Sequence, residues 1–161
     1  MFDRKHGYTK FCSLQASVYL KSPGICSIRG ITVNIRTNER IELVNITKEV
    51  KSEVHKSGID NGICVVSTSH TTTAIILNEN ETGLRHDILD FLEKLIPHSA
   101  GYQHDRIDNN ADAHLKAVML GSSETIPVMD GELVLGTWQH ILFVELDGPR
   151  QRTVNITLVN Q

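Results

Sequence analysis

Cysteine is scarce in this chain, and its spacing suits none of the usual cysteine chemistry. Cys12, Cys26 and Cys64 are odd in number and show no Cys-x-x-Cys spacing, which argues against a disulfide framework and against a thiolate zinc site. Buried, reduced thiols in a cytoplasmic protein are the expectation. Basic charge is not in excess either. Lys and Arg total 16 against 19 Asp and Glu, a formal net charge of −3, and no Lys/Arg block forms a stripe. A phosphate backbone would find no electrostatic footprint, so no nucleic-acid partner is expected. No apolar run approaches the roughly 20 residues that cross a bilayer, and the opening Met1 to His6 lacks the apolar core of an export signal. Membrane association is therefore not expected. Internal repeats and low-complexity tracts are also missing.

What remains is a chain of 161 residues with 40% hydrophobic content, enough for one sizeable core and too short for two ordinary domains. Residues 31 to 46 read as a hairpin, with Val33 and Ile35 alternating against Thr32, Asn34 and Arg36 before Thr37-Asn38-Glu39 turns into Ile41-Glu42-Leu43. Thr47 caps a first helix that carries Val50 and Val54 on one face and ends at Gly58. Ile63 to Val66 and Ala74 to Leu77 read as apolar, central strands. A second helix follows Asn80, with Leu84, Ile88, Leu92 and Leu95 on its apolar face, Pro97 as its stop and Arg85, Glu93 and Lys94 on a solvated face. The stretch from Ser99 to Asn110 has no apolar period and is long enough to suggest a functional loop. A third, short helix starts with Asp112 as its cap, buries Leu115, Val118 and Met119, and stops at Gly121.

The rest is β: Thr125 to Val128, an Asp130-Gly131 turn, Glu132 to Leu135, Gln139 to Leu146, and Arg152 to Val159. In the last strand Val154, Ile156 and Leu158 face one way and Thr153, Asn155 and Thr157 the other, as in an antiparallel sheet with one wetter face. Leu14, Ala16, Val18 and Leu20 also alternate as a strand would. Hairpinned strands with three inserted helices give an α+β fold, mostly antiparallel, in one compact domain.

Three stretches hold polar side chains that a core does not need. They are Ser67 to Thr73 with Asn78-Glu79-Asn80, then Tyr102 to Asp105 with Asn110 to Lys116, and finally Trp138-Gln139-His140 with Glu145 to Arg150. Each lies at a strand end, a loop or a helix start, where rigid elements expose polar groups. Three imidazoles that leave a coordination position open suit a divalent metal that activates water or polarises an oxygen, and His70, His104 and His114 are the candidates. Taken singly, each is more ordinarily a surface or hydrogen-bonded histidine. His114 has a further argument: in a first helical turn the positive helix end disfavours imidazolium and keeps a lone pair available. The same helix start, with Lys116, is suited to a phosphate. Asp112 is either a cap or an acid/base. Glu145 stands in an apolar strand, where its charge needs a partner, with Arg150 the nearest candidate, or a catalytic use. Trp138 is more ordinarily a core residue than a ligand platform.

The strings His70-Thr71-Thr72, Asn78-Glu79-Asn80, Asn110-Ala111-Asp112-Ala113-His114-Leu115-Lys116-Ala117, Gly136-Thr137-Trp138-Gln139 and Asp147-Gly148-Pro149-Arg150 together resemble the YjbQ family, from about Ile31 to Gln161. That family is described as secondary thiamine-phosphate synthases. The resemblance implies an α+β homotrimer with polar clefts near subunit contacts and a histidine cluster at His70, His104 and His114, possessing zinc or magnesium where a metal is used. A small-molecule substrate of such a site would have Thr71, Thr72, Asn80, Lys116, Gln139 and Arg150 as its contacts, and the reading of the residues themselves adds Glu145 or Asp112 as acid or base. Thr73 departs from the pattern, standing where the family commonly has Ala, and residues 1–30 precede the usual family start. The alternative is a non-enzymatic metabolite- or metal-binding trimer built on the same groups. The chain lacks the alternating β/α period of a TIM barrel, the fold of the dedicated thiamine-phosphate enzyme, so a secondary activity fits better.

Overall fold

A strand that is apolar at every position is normally covered on both faces, and Ile141-Leu142-Phe143-Val144 is such a run. The computed structural model, which describes residues 27–160, places it in β7 (His140–Glu145), the middle strand of a three-stranded antiparallel sheet ordered β2-β7-β4. Its partners are β2 (Glu42–Asn45) and β4 (Thr73–Asn78). Ile141 and Phe143 face one core, while Leu142 and Val144 face a second core on the other side.

The first core lies between this sheet and a five-stranded one ordered β1-β8-β3-β5-β6. Its strands are β1 (Ser27–Arg36), β3 (Gly62–Ser67), β5 (Ser123–Met129), β6 (Glu132–Leu133) and β8 (Gln151–Asn160). Period-two alternation sends Val154, Ile156 and Leu158 of β8 inward against Cys64, Val66, Ile126 and Val128. Helix α1 (Thr47–Ser57) adds Val50 and Val54 and ends at Gly58, whose φ of 71° is the left-handed cap that glycine adopts freely. On the far side of the small sheet, α2 (Thr82–Leu95) and α3 (Ala111–Leu120) close the second core with Ile88, Leu89, Ala113 and Ala117. The order is sheet, sheet, helices.

Several expectations are corrected. Residues 31–46 are not a hairpin: β1 pairs with β8 and β2 with β7, in different sheets. The chain changes layers at Thr37, whose amide donates to the carbonyl of Arg150 and whose hydroxyl oxygen accepts the Arg150 amide. Of the two strands read as central, β3 is, between β8 and β5, but β4 is an edge whose apolar side chains are covered by α3 and β5. The cap of α2 is Glu81, which accepts the amides of Gly83 and Leu84 at 2.8 Å each. On α2 only Leu92 is buried, Leu95 is exposed, and Arg85 and Glu93 are engaged rather than merely solvated: Arg85 donates to Asn80 and to the Leu43 carbonyl, and Glu93 accepts from Lys116. The N-cap of α3 is Asn110, not Asp112.

The face of α3 is inverted. Asp112 and Lys116 are fully buried, while Leu115, Val118 and Met119 are exposed, Val118 at 84%. Trp138 is likewise exposed. Cys64 is buried and unpaired, with its thiol pushed up to about 11 by desolvation. The alternation of Leu14, Ala16, Val18 and Leu20, and Cys12 and Cys26, lie outside the described residues, and β1 begins four residues before the Ile31 boundary, at Ser27.

Candidate functional site

The connection from β3 to β4 carries His70, and small hydroxyls shape it. The Thr68 hydroxyl lies 2.7 Å from that of Thr73, the Thr73 hydroxyl donates to the His70 carbonyl at 3.3 Å, and the His70 amide donates back to Thr68 Oγ1 at 3.3 Å. Thr73, the departure from the family pattern, thus closes a ring of three hydrogen bonds that an alanine would open. Main-chain bonds from Thr68 to Ser122 and from Ile75 to Gly121 bring the end of α3 against this turn. Between them opens a cavity of about 380 Å³ lined by His70, Thr71, Thr73, His114, Val118 and Ser122, among others.

His114 lines this cavity from the first turn of α3. His104, in a short 3-10 helix (Gln103–Arg106), stands edge-on to it, ring centroids 5.0 Å apart and planes at 80°. His70 turns the other way: its Nε2 accepts the Thr153 amide at 3.1 Å, with the Thr153 hydroxyl 3.2 Å distant. Burial first, then the Arg152 charge, lower its pKa from the ordinary histidine value, against an opposing pull from Glu145. Among the described residues no group of three or more His, Cys, Asp or Glu side chains is disposed to hold a metal. The three histidines therefore do not form one ligand set, although two of them share the cavity and the third touches it through His114.

Behind the cavity lies Glu145, fully buried in the gap between the sheets. Its partner is Arg152, not Arg150: Nε donates to Oε2 at 2.7 Å and Nη2 to Oε1 at 2.6 Å. The amides of Leu146 and Asp147 and the Thr37 hydroxyl complete five donors. Arg152 also donates to Thr72 Oγ1 at 3.0 Å, which ties Thr72 into the same network rather than the cavity wall. Arg150 is exposed and bonded to Asp147. A signal for Arg152 was present in the sequence, since the alternation of Val154, Ile156 and Leu158 carried two residues back puts Arg152 on the inward face.

Asp112 and Lys116, one helical turn apart, form a second buried network. Lys116 Nζ donates to Asp112 at 2.7 Å and to Glu93 at 2.8 Å; Asp112 also accepts from Arg40 at 2.8 Å and has His98 Nδ1 at 3.1 Å. Burial alone would raise the Asp112 pKa, but the bonds from Lys116, Arg40 and His98 outweigh it and hold the carboxyl well below the usual range. Nothing in the sequence singled out Arg40 or His98, which come from loops distant in the chain. Asn80 and Gln139 sit elsewhere again. Thr73 pairs with Glu145 at one end of the small sheet and Asn78 with His140 at the other, about 17 Å apart at strand spacing. Asn80 accepts from Arg85, and Gln139 from the Gly136 amide.

Two packed antiparallel sheets with α2 and α3 on one outer face, and a small histidine- and threonine-lined cavity where α3 meets the β3–β4 turn, define the class. Its family is established by comparison. The family described as UPF0047 protein YjbQ-like matches residues 31–161, and the chain belongs to it. A UPF0047 protein of Archaeoglobus fulgidus is 52% identical over 122 residues, 76% of this chain and 94% of that one. YugU of Bacillus subtilis, also a UPF0047 protein, is 37% identical over 132 residues, 80% and 97% of the two chains. Among solved structures, a protein of unknown function from Sulfolobus solfataricus superposes with a TM-score of 0.83 at 42% identity, covering 84% of this chain and 99% of its own. A hypothetical protein from Aeropyrum pernix gives 0.81 at 40% identity, covering 83% and 99%.

Proposed function

We propose that this protein is a cytoplasmic small-molecule enzyme with secondary thiamine-phosphate synthase activity, using the cavity between His70 and His114. The observation that carries the reading is that His70, His114, Thr71 and Ser122 line one pocket of about 380 Å³, a volume within the range of small-molecule sites. In the proposed reaction the thiazole ring nitrogen forms a bond to the exocyclic carbon of the pyrimidine, and the carbon–oxygen bond to pyrophosphate breaks with its electron pair going to the leaving oxygen. Neutral N–H and O–H donors aimed at that oxygen would disperse its charge. A divalent cation, zinc or magnesium, enters this reading as a companion of the pyrophosphate, which offers the oxygen ligands such ions take, and not as the resident of a three-histidine site. No helix among the described residues is long and apolar enough to cross a membrane.

The outward apolar stripe of α3 supports a homotrimer, because Leu115, Val118 and Met119 would be costly to leave in water and Val118 borders the cavity. The test of the activity is formation of thiamine phosphate from the pyrimidine pyrophosphate and thiazole phosphate. Turnover is expected from the wild type and at least about 10²-fold less from His114→Ala; equal turnover in both would refute the assignment. One observation favours a second reading, a non-enzymatic metabolite-binding trimer: Glu145 and Asp112, the carboxylates offered as acid and base, are both saturated by partners away from the cavity. Saturable binding of the two precursors without product would select it.

A further inference from the structure

A backbone amide can only donate, so the bond from Thr153 to His70 settles which ring nitrogen of His70 keeps a lone pair. Nε2 presents that lone pair to β8, and a neutral imidazole must then carry its proton on Nδ1. Protonating Nε2 as well would set two donors against each other. Burial and the Arg152 guanidinium oppose imidazolium in the same direction; the other titratable groups near the ring are Glu145, held by Arg152, and His114 across the cavity. Nδ1 bonds to no described residue, while His70 itself lines the cavity.

A metal ion needs a nitrogen lone pair, and the one that His70 has is already taken. We infer that His70 is not a metal ligand but a neutral Nδ1–H hydrogen-bond donor to an acceptor oxygen of the bound molecule, a phosphoryl oxygen in the first instance. The family resemblance led to the opposite expectation, with His70 in a metal triad. The donor role rests on the proposed use of the cavity as a substrate site; the exclusion of His70 from metal ligation does not. His104 and His114 are untouched by the argument, since neither has a nitrogen occupied by a backbone amide among the described residues.

Long-range nitrogen–proton correlation spectra of the full chain labelled with ¹⁵N-histidine read the tautomer directly. The His70 signals are assigned by their absence in His70→Gln, or, if that variant does not fold, by contacts to Thr153. The expected pattern is a protonated Nδ1 and a bare Nε2, unchanged when zinc chloride is added to saturation, and zinc affinity in His70→Gln within about two-fold of the wild type. A protonated Nε2, a zinc-bound shift at Nδ1, or a loss of zinc affinity of about ten-fold or more would overturn the inference. Inorganic pyrophosphate alone should then shift the Nδ1 proton. Thiamine-phosphate turnover with that proton unmoved would sink the donor role and leave the proposed activity standing; a moved proton without turnover would do the reverse.

Discussion

Glu145 receives five donors, two of them from one guanidinium, and is fully buried. Desolvating a carboxylate is costly, and here the cost is met by a bidentate partner and two amides rather than by a role in the cavity. Glu145→Gln leaves the Arg152 charge buried and short of an acceptor. We expect it to lower unfolding free energy by about 3 kcal/mol in chemical denaturation, with turnover per folded molecule unchanged. A stable variant with lost turnover would return Glu145 to catalysis. His114 presents the opposite case. It is partly exposed and fills no core, so His114→Ala should shift stability by no more than about 1 kcal/mol while abolishing precursor binding; calorimetry of folding and of binding on the same sample separates the two.

At the scale of the element, α3 buries its charged pair Asp112 and Lys116 beside Ala113 and Ala117 and leaves its large apolar side chains Leu115, Val118 and Met119 outside. Lys116 with Asp112 and Glu93 anchors the helix to α2, and Arg40 brings in the loop before β2. The Glu93 pKa is also lowered: burial opposes, but the bonds from Lys116 and from the His98 amide prevail. Both carboxyls are depressed in the folded state, so their contribution is fully present above the unfolded value near 4 and is lost as pH falls through the folded values. Stability should therefore drop below about pH 4 more steeply in the wild type than in Asp112→Asn with Lys116→Met, where acid unfolding curves should flatten. Parallel curves would mean that other carboxylates govern the acid limb.

For the whole molecule, the exposed stripe of Leu115, Val118 and Met119 is the feature a lone chain explains least. If it packs against a second copy, light scattering should give three times the chain mass at micromolar concentration, and Val118→Asp should reduce this to one while far-ultraviolet dichroism stays unchanged. A monomeric wild type would remove the trimer and leave the cavity as the property of a single chain.

Period-two alternation in β8, the apolar run of the central strand β3, the Gly58 cap and the Asp130-Gly131 turn were legible in the sequence because they depend on neighbours only a few residues away. So were the family strings and the concentration of polar residues around His70 and His114. The sheet to which β1 and β2 belong was not, because Thr37 finds its partner at Arg150, more than a hundred residues on. Nor was the inversion of α3: its spacing marks Leu115, Val118 and Met119 as one face, but periodicity does not say whether a face meets the core or a partner. The acid–base assignments turned on the same point. Sequence placed a charge at residue 145 and another at 112, with Lys116 one helical turn from the second; only the tertiary structure supplied Arg152 and Arg40 within hydrogen-bond reach, and the Thr153 amide that decides which nitrogen of His70 is free. Local pattern determines which residues can bear charge or bend the chain, and the approach of distant strands decides which of those charges remain available for chemistry.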